Sequence, residues 1–237
     1  MSAPFDAYKD SYREAVESSI AFSGLNLEFF TEHKVSHLLH LARTRLGPPS
    51  SLRVADVGCG VGLSDGVLAP AVGELHGVDM ARGALETAAR DNPRVHYHHF
   101  DGDRLPFEDG ALDLAFAINV FHHVPSQDRP RLVSEMARIV RRGGLVAIYE
   151  HNPLNPLTRL AVSRCAFDAD AVLLGREELA RLACAAGLEP IVESYIVFFP
   201  WRARLFSLIE RALGWLPLGA QYCVAARKEA TRGSTSR

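Results

Sequence analysis

No apolar run in this 237-residue chain approaches the roughly 18 residues that a membrane-spanning helix needs, so stable membrane insertion is not expected. Cysteine is scarce: the four, at 59, 165, 184 and 223, form no Cys-x-x-Cys pair, which argues against a disulfide framework and against structural zinc. Surplus positive charge is missing too. With 26 basic and 28 acidic residues the net charge is −2, leaving no field to hold a phosphate backbone, and nucleic acid is not an expected partner. The opening Met-Ser-Ala-Pro-Phe-Asp lacks a charged segment leading into an apolar core, so no secretory signal is read and a cytoplasmic location is expected. The length suits one α/β domain with a decorated end rather than two full domains.

What the chain does have is a short apolar run, Val54 to Val57, that breaks into glycines at 58, 60 and 62. The run reads as a buried strand, the glycines as a turn whose backbone a ligand can approach, and Leu63 to Leu68 as the helix that follows. That is the nucleotide-cradling turn of a doubly wound sheet. A dinucleotide fingerprint would put its third glycine at position 63, where Leu63 stands, which argues against a nicotinamide enzyme. Asp56 completes Asp-x-Gly-x-Gly-x-Gly, and on this motif the sequence resembles the class I S-adenosylmethionine-dependent methyltransferases. The resemblance implies S-adenosyl-L-methionine as cofactor, with Asp56, Gly58, Gly60 and Gly62 at its site.

Helices are expected over 10–20 and 26–46, making residues 1–46 an N-terminal helical cap in which Tyr8 and Tyr12 close on the methionine part of the cofactor. The main domain then spans 47–228 and a frayed tail 229–237. His33, His37 and His40 share a helical face at a spacing that suits a metal, yet no carboxylate or cysteine completes the set, and no metal is expected. Glu74 to Asp79 reads as strand two. Asp79 stands near the position where one carboxylate accepts hydrogen bonds from both ribose hydroxyls, and Met80 beside it suits either an adenine face or plain packing. A helix over 81–91 and strand three, Val95 to Phe100, lead into Phe-Asp-Gly-Asp-Arg-Leu-Pro-Phe107, similar to the family's third motif. The resemblance implies that Asp101 accepts from the adenine amino group and that the Gly102 amide contacts the ring, with Asp103 the competing acid. Strand four, Leu112 to Ile118, is nearly all apolar, as a central parallel strand should be, and runs into Asn119-Val-Phe-His-His-Val-Pro125. The family has a similar His-His-Val segment, which implies that Asn119 meets the cofactor and that His122 or His123 faces the methyl donor.

A helix from about Asp128 to Arg141, stopped by Gly143-Gly144, precedes strand five, Leu145 to Tyr149. The segment Glu150-His-Asn-Pro-Leu-Asn-Pro-Leu-Thr-Arg159, with Phe167 to Leu174 and Leu213 to Tyr222, resembles a subgroup of bacterial methyltransferases. That resemblance implies glycan or natural-product tailoring. A helix Glu177 to Ala186, a strand Pro190 to Phe199, an amphipathic helix over 202–214 and a last strand Gln221 to Ala226 complete the expected fold. It is a Rossmann-like seven-stranded doubly wound α/β sheet with one antiparallel strand. The amphipathic helix is expected to pack on the sheet, with membrane contact the alternative. For an oxygen acceptor the transfer needs alignment and a base; His123 is the first choice, His151 the second, and Glu150 suits orienting one of them. Phe167, Tyr195, Phe198, Phe199 and Trp201 line an acceptor pocket or fill the core. The expectation is an S-adenosylmethionine-dependent methyltransferase acting on a small molecule, with N- or C-transfer, or cofactor binding without catalysis, as alternatives and the oligomeric state open.

Overall fold

Strand β1 (Arg53–Val57) is buried at every position after Arg53. It lies between two parallel neighbours, β2 (Glu74–Asp79) and β4 (Leu112–Ile118), and a strand enclosed on both faces reads as an apolar run, here interrupted by the buried Asp56. The computed structural model describes residues 12–200, 209–210 and 212–229. Outward from the centre lie β3 (His96–His99) on one side and β5 (Val140–His151), β7 (Gln221–Lys228) and β6 (Leu188–Ile196) on the other, giving the order β3-β2-β1-β4-β5-β7-β6. Only β7 runs antiparallel, to β5 and β6 alike, so the expected seven strands with one reversed member are found. The chain order turns about between β1 and β4. That switch point leaves a crevice beyond their carboxyl ends, where such sheets bind ligands.

Alternate residues of the central strands supply two cores, following the two-residue period of a strand. Ala55, Val57, Ala115, Ala117, Val146 and Ile148 face a layer containing α5 (Arg129–Ile139) and α7 (Arg176–Ala185). Val54, Leu114, Phe116, Leu145 and Ala147 face the opposite layer, with Val35, Leu38, Leu41 and Ala42 of α2 (Leu27–Arg45) and Leu68 of α3 (Leu63–Leu68). Helix α2 begins at a real cap: the Asn26 side chain accepts from the Phe29 amide at 2.9 Å. Before it lies α1 (Tyr12–Ile20), and the other helices are α4 (Arg82–Asp91) and α6 (Pro156–Arg164). No helix among the described residues is long and apolar enough to cross a membrane.

Two differences from the sequence reading have a clear physical cause. Helix α5 ends at Ile139, and Gly143-Gly144 lie inside β5 rather than stopping the helix. Gly143, at φ +76°, instead absorbs an irregularity where the β4–β5 register shifts between Leu112 and Leu114. Strand β6 ends at Ile196 because Val197 has φ +61°, a conformation that a β-branched residue rarely adopts and that breaks the ladder. Of the helix expected over 202–214, residues 202–208 and 211 lie outside the described residues, as do Tyr8, the Tyr12 side chain, Trp201 and the tail from 230.

Because Leu38 is 1% exposed within the sheet's core, Leu38→Ala is expected to destabilise the chain by about 2–5 kcal/mol in urea unfolding. A loss below about 1 kcal/mol would mean that α2 is a detachable cap and not part of the core.

Candidate active site

The crevice opens into a cavity of about 1150 Å³, walled by the glycine turn, the ends of β2 and β4, the α1–α2 region and the segments after β5 and β6. At one end the turn is fastened to β2. Gly58 and Cys59 amides donate to the Val78 carbonyl at 2.7 and 3.1 Å, and the Gly60 amide donates to Asp79 Oδ2 at 2.8 Å. Asp79 Oδ1 accepts from the Ala81 amide at 2.8 Å, so this carboxylate fixes the turn and the entry to α4 together. A carboxylate can accept several hydrogen bonds at once, which suits this position to ligand hydroxyls. Gly60, at φ +52°, has no atom within 4 Å of where a Cβ would stand; the space there is open, as a cradle for a bound group requires.

The adenine-side residues expected from the sequence also border the cavity. Asp101 Oδ1 accepts from the Asp103 amide at 2.9 Å, closing the turn at Gly102, while Met80, 49% exposed, lies against Gly102. Asp103 is engaged elsewhere, accepting from Arg131 at 2.9 Å. Beneath the glycine turn, Asp56 and Asp65 are buried side by side. Burial pushes the Asp56 carboxyl well above its usual range, reinforced by the charges of Asp65 and Asp79; burial also lifts Asp65 to about 6, although Tyr97 donates to its Oδ2 at 2.9 Å. Lys34 reaches the same cavity from α2. It is 4% exposed, and burial drives its ammonium down to about 8 against the pull of Glu150 and Asp56, although it lies within ion-pair distance of neither.

The other end of the cavity is built on Glu150, the fully buried carboxylate near the end of β5. Its Oε1 accepts from the Phe121 amide at 2.7 Å, and its Oε2 accepts from His122 Nδ1 at 2.7 Å and from the His151 amide at 3.3 Å. His122 Nε2 lies 3.5 Å from Asp168 Oδ1, and His123 Nε2 lies 3.4 Å from the same oxygen. The His122 ring stands 4.0 Å from that of His123 and 5.0 Å from that of His151, centroid to centroid. Burial opposes charge on Glu150, yet the His122 charge and hydrogen bond bring it down to about 2. Burial likewise opposes charge on His122, but Glu150 and Asp168 lift it to about 9; His151, lowered by burial and then by the His122 charge, falls to about 4. Thus His122 is the charged ring of the bare cluster and His151 a neutral one.

The segments that carry these groups are strapped together. Arg129, 2% exposed, donates through Nε to the carbonyls of Phe121 and Val124 and through Nη2 to that of Val172, while the Val172 amide donates to the His122 carbonyl at 2.8 Å. This holds the Phe167–Leu174 segment, and with it Asp168, against the His-His loop. The two Asn-Pro pairs have a comparable task. Asn152 donates to the carbonyls of Pro217 and Gly219, and Asn155 caps α6 and donates to that of Leu218, fixing the chain that enters β7. Gln221, first residue of β7, thereby reaches Asn119 Oδ1 at 3.3 Å and His151 Nδ1 at 3.5 Å. Asn119 has φ +56°, a strained conformation of the kind found where function fixes the backbone.

The residues singled out from sequence at 56, 58, 60, 79, 80, 101, 102, 119, 122, 123 and 151 all line this one cavity. Gly62 does not; it is buried below the turn, where an added Cβ would stand 2.6 Å from the Tyr97 hydroxyl. Of the aromatic residues, Phe167, Phe198 and Phe199 border the cavity, whereas Tyr195 packs in the core against Tyr222 at 6.3 Å. His33 and His37 are spent on Glu210 at 2.9 Å and on the Tyr149 hydroxyl at 2.9 Å, so their helical face does not gather around one point. Lys34, Asp168, Gln221 and the positioning residue Arg129 escaped the sequence reading. A lysine on the apolar stripe of α2, between Thr31 and Leu38, is the one signal that pointed to any of them.

Residues 55–148 match the family described as a methyltransferase domain. The chain is 38% identical over 112 residues to the methyltransferase GfsG of Streptomyces halstedii, covering 44% of this chain and 39% of that one. It is 27% identical over 207 residues to the ubiquinone biosynthesis O-methyltransferase of Paracidovorax citrulli, covering 85% and 83%. The chain spans 39% to 62% of the length of three of its curated relatives. In three dimensions it superposes, with a TM-score of 0.67 at 16% identity and over 97% of its length, on a chain in the complex of the Haloferax volcanii Trm112 activator with a methyltransferase, covering 100% of that chain. Residues 55–148 thus carry a methyltransferase domain, set on a sheet order and glycine turn that suit S-adenosylmethionine as its cofactor, and the chain shares its fold with a methyltransferase.

Proposed function

We propose that the chain transfers a methyl group from S-adenosylmethionine to an oxygen of a small molecule, in tailoring of a natural product or glycan. The observation that carries this reading is one cavity with two unlike ends. An acidic turn suited to an adenosine lies at one end and a histidine–carboxylate cluster at the other, in about 1150 Å³. That exceeds the roughly 300–1,000 Å³ of ordinary ligand pockets, so cofactor and acceptor fit together. An O-methyltransferase is among the relatives that match most of the chain, which is consistent with an oxygen acceptor, while the histidine–carboxylate cluster is what favours oxygen.

S-adenosylmethionine supplies an activated methyl group on a sulfonium leaving group. Asp79 holds the ribose hydroxyls, Asp101 and the Gly102 amide hold the adenine edge, and the Lys34 ammonium takes the methionine carboxylate. Helix α1 and the first turn of α2 close over the cavity, with Val16, Ile20 and Phe30 on its wall. The acceptor hydroxyl loses its proton at the far end, to His123 or His151, and Asp168 and Glu150 offset the positive charge that results. Alignment contributes roughly 7–11 kcal/mol and a base about 10²- to 10⁴-fold in rate, so removing a histidine slows the reaction without abolishing cofactor binding.

His123→Ala and His151→Ala are therefore expected to bind S-adenosylhomocysteine as the parent does, while at least one loses about 10²-fold or more in turnover with an oxygen acceptor. Full turnover in both would remove the histidines from proton transfer. Lys34→Met is expected to weaken S-adenosylhomocysteine binding by roughly 1.5–3 kcal/mol, the range for a hydrogen bond to a charged group. The pH dependence follows from its lowered value. A carboxylate partner raises the Lys34 pKa above the unliganded value of about 8, so affinity holds below that pH and falls as pH rises through it. The Met variant should lose that part of the pH dependence in calorimetry; an unchanged profile would place the carboxylate elsewhere.

A further inference from the structure

We propose that His122, His123 and Asp168 form a site for one divalent transition-metal ion, Zn²⁺ first among candidates, at the acceptor end of the cavity. The inference deepens the acceptor-site reading above and rests on it for the ion's role, but not for the site's existence. One ligand atom from each of the three side chains lies within 4.8 Å of the others. The distances of 3.5 and 3.4 Å from the two Nε2 atoms to Asp168 Oδ1 are long for hydrogen bonds. They match the separation of about 3.4 Å between neighbouring ligands that each sit about 2.1 Å from a tetrahedral ion.

The chemistry of the donors points the same way. Glu150 accepts from His122 Nδ1 at 2.7 Å, which holds a proton on that nitrogen and leaves Nε2, 3.5 Å from Asp168 Oδ1, as the atom that would ligate an ion once its own proton is released. His123 turns Nε2 to the same oxygen; in the bare cluster a proton lies between these atoms, and a bound ion would take that proton's place. A carboxylate behind a histidine is the usual support of a metal-bound imidazole, and Glu150 fills that place. Two histidines and one carboxylate leave a fourth position open, the pattern of catalytic rather than structural zinc. Both His123 and Asp168 line the cavity, so that position faces the acceptor. There the ion lowers the pKa of an acceptor hydroxyl that ligates it, and the hydroxyl proton passes to His151, which is not a ligand. The acceptor class is accordingly one with an acidic or chelating oxygen, such as a phenol, an enol or a hydroxyl beside a carbonyl.

The test uses the full chain stripped with a chelator and titrated with Co²⁺, followed by visible absorption, and with Zn²⁺ by calorimetry. One ion per chain is expected, with the intense visible bands of four-coordinate Co²⁺. Glu150→Gln should weaken uptake by about 10- to 100-fold, and Asp168→Asn and His123→Ala by more. Asp168→Asn keeps the side-chain size, far-ultraviolet dichroism monitors its fold, and His123→Ala is the independent variant should the first not fold. Absence of saturable uptake, or equal uptake by folded Asp168→Asn and His123→Ala proteins, overturns the proposal. The two readings fail separately. Ion uptake without affinity for S-adenosylhomocysteine supports the metal site and sinks the methyltransferase reading of the cavity. Affinity for S-adenosylhomocysteine without ion uptake does the reverse.

Discussion

Glu150 is the constraint on which the rest of the cavity depends. A carboxylate with no exposure is costly to ionise unless hydrogen bonds and an opposite charge replace its water, and here two amides and the His122 ring do so. Because those partners come from the loop after β4 and from β5 itself, stabilising Glu150 also sets the position of that loop. The same bonds orient His122 toward Asp168. Arg129 secures the loop from the opposite side through three backbone carbonyls, so the segment is gripped by one buried anion and one buried cation.

The two ends of the cavity solve opposite electrostatic problems. At the glycine turn, Asp56, Asp65 and Asp79 crowd together, and burial keeps part of that charge neutral by raising Asp56 and Asp65. Lys34 feels the pull of both Asp56 and Glu150 without an ion pair among the described residues, and an incoming carboxylate would find a buried cation there. At the histidine end, positive and negative groups alternate at distances of 2.7 to 3.5 Å, so charge can be moved there with little rearrangement.

Much of the fold was legible because its signals are local. An apolar run broken by glycines, a strand ending in Asp79 and a nearly all apolar β4 each follow from the period of one element and the residue that stops it. The lengths of β5 and β6 were not legible, since Gly143 bridges an irregularity that only pairing with β4 reveals, and Val197 departs from its own propensity. In the site, residues adjacent to strand ends were readable, because the switch point draws those ends together. Asp168 and Gln221 were not, since they arrive from distant segments fastened by Arg129, Asn152 and Asn155. For Tyr195 the sequence left pocket and core both open, and it faces the core, because the two-residue period of β6 turns it away from the cavity.

The central claim is that the cavity beyond the glycine turn is built for S-adenosylmethionine. Calorimetric titration of the purified chain with S-adenosylhomocysteine, with reduced nicotinamide adenine dinucleotide as the control, tests it most directly. Saturable one-to-one binding of S-adenosylhomocysteine and none of the dinucleotide is the expected result. Binding of the dinucleotide alone, or of neither ligand, would contradict the account.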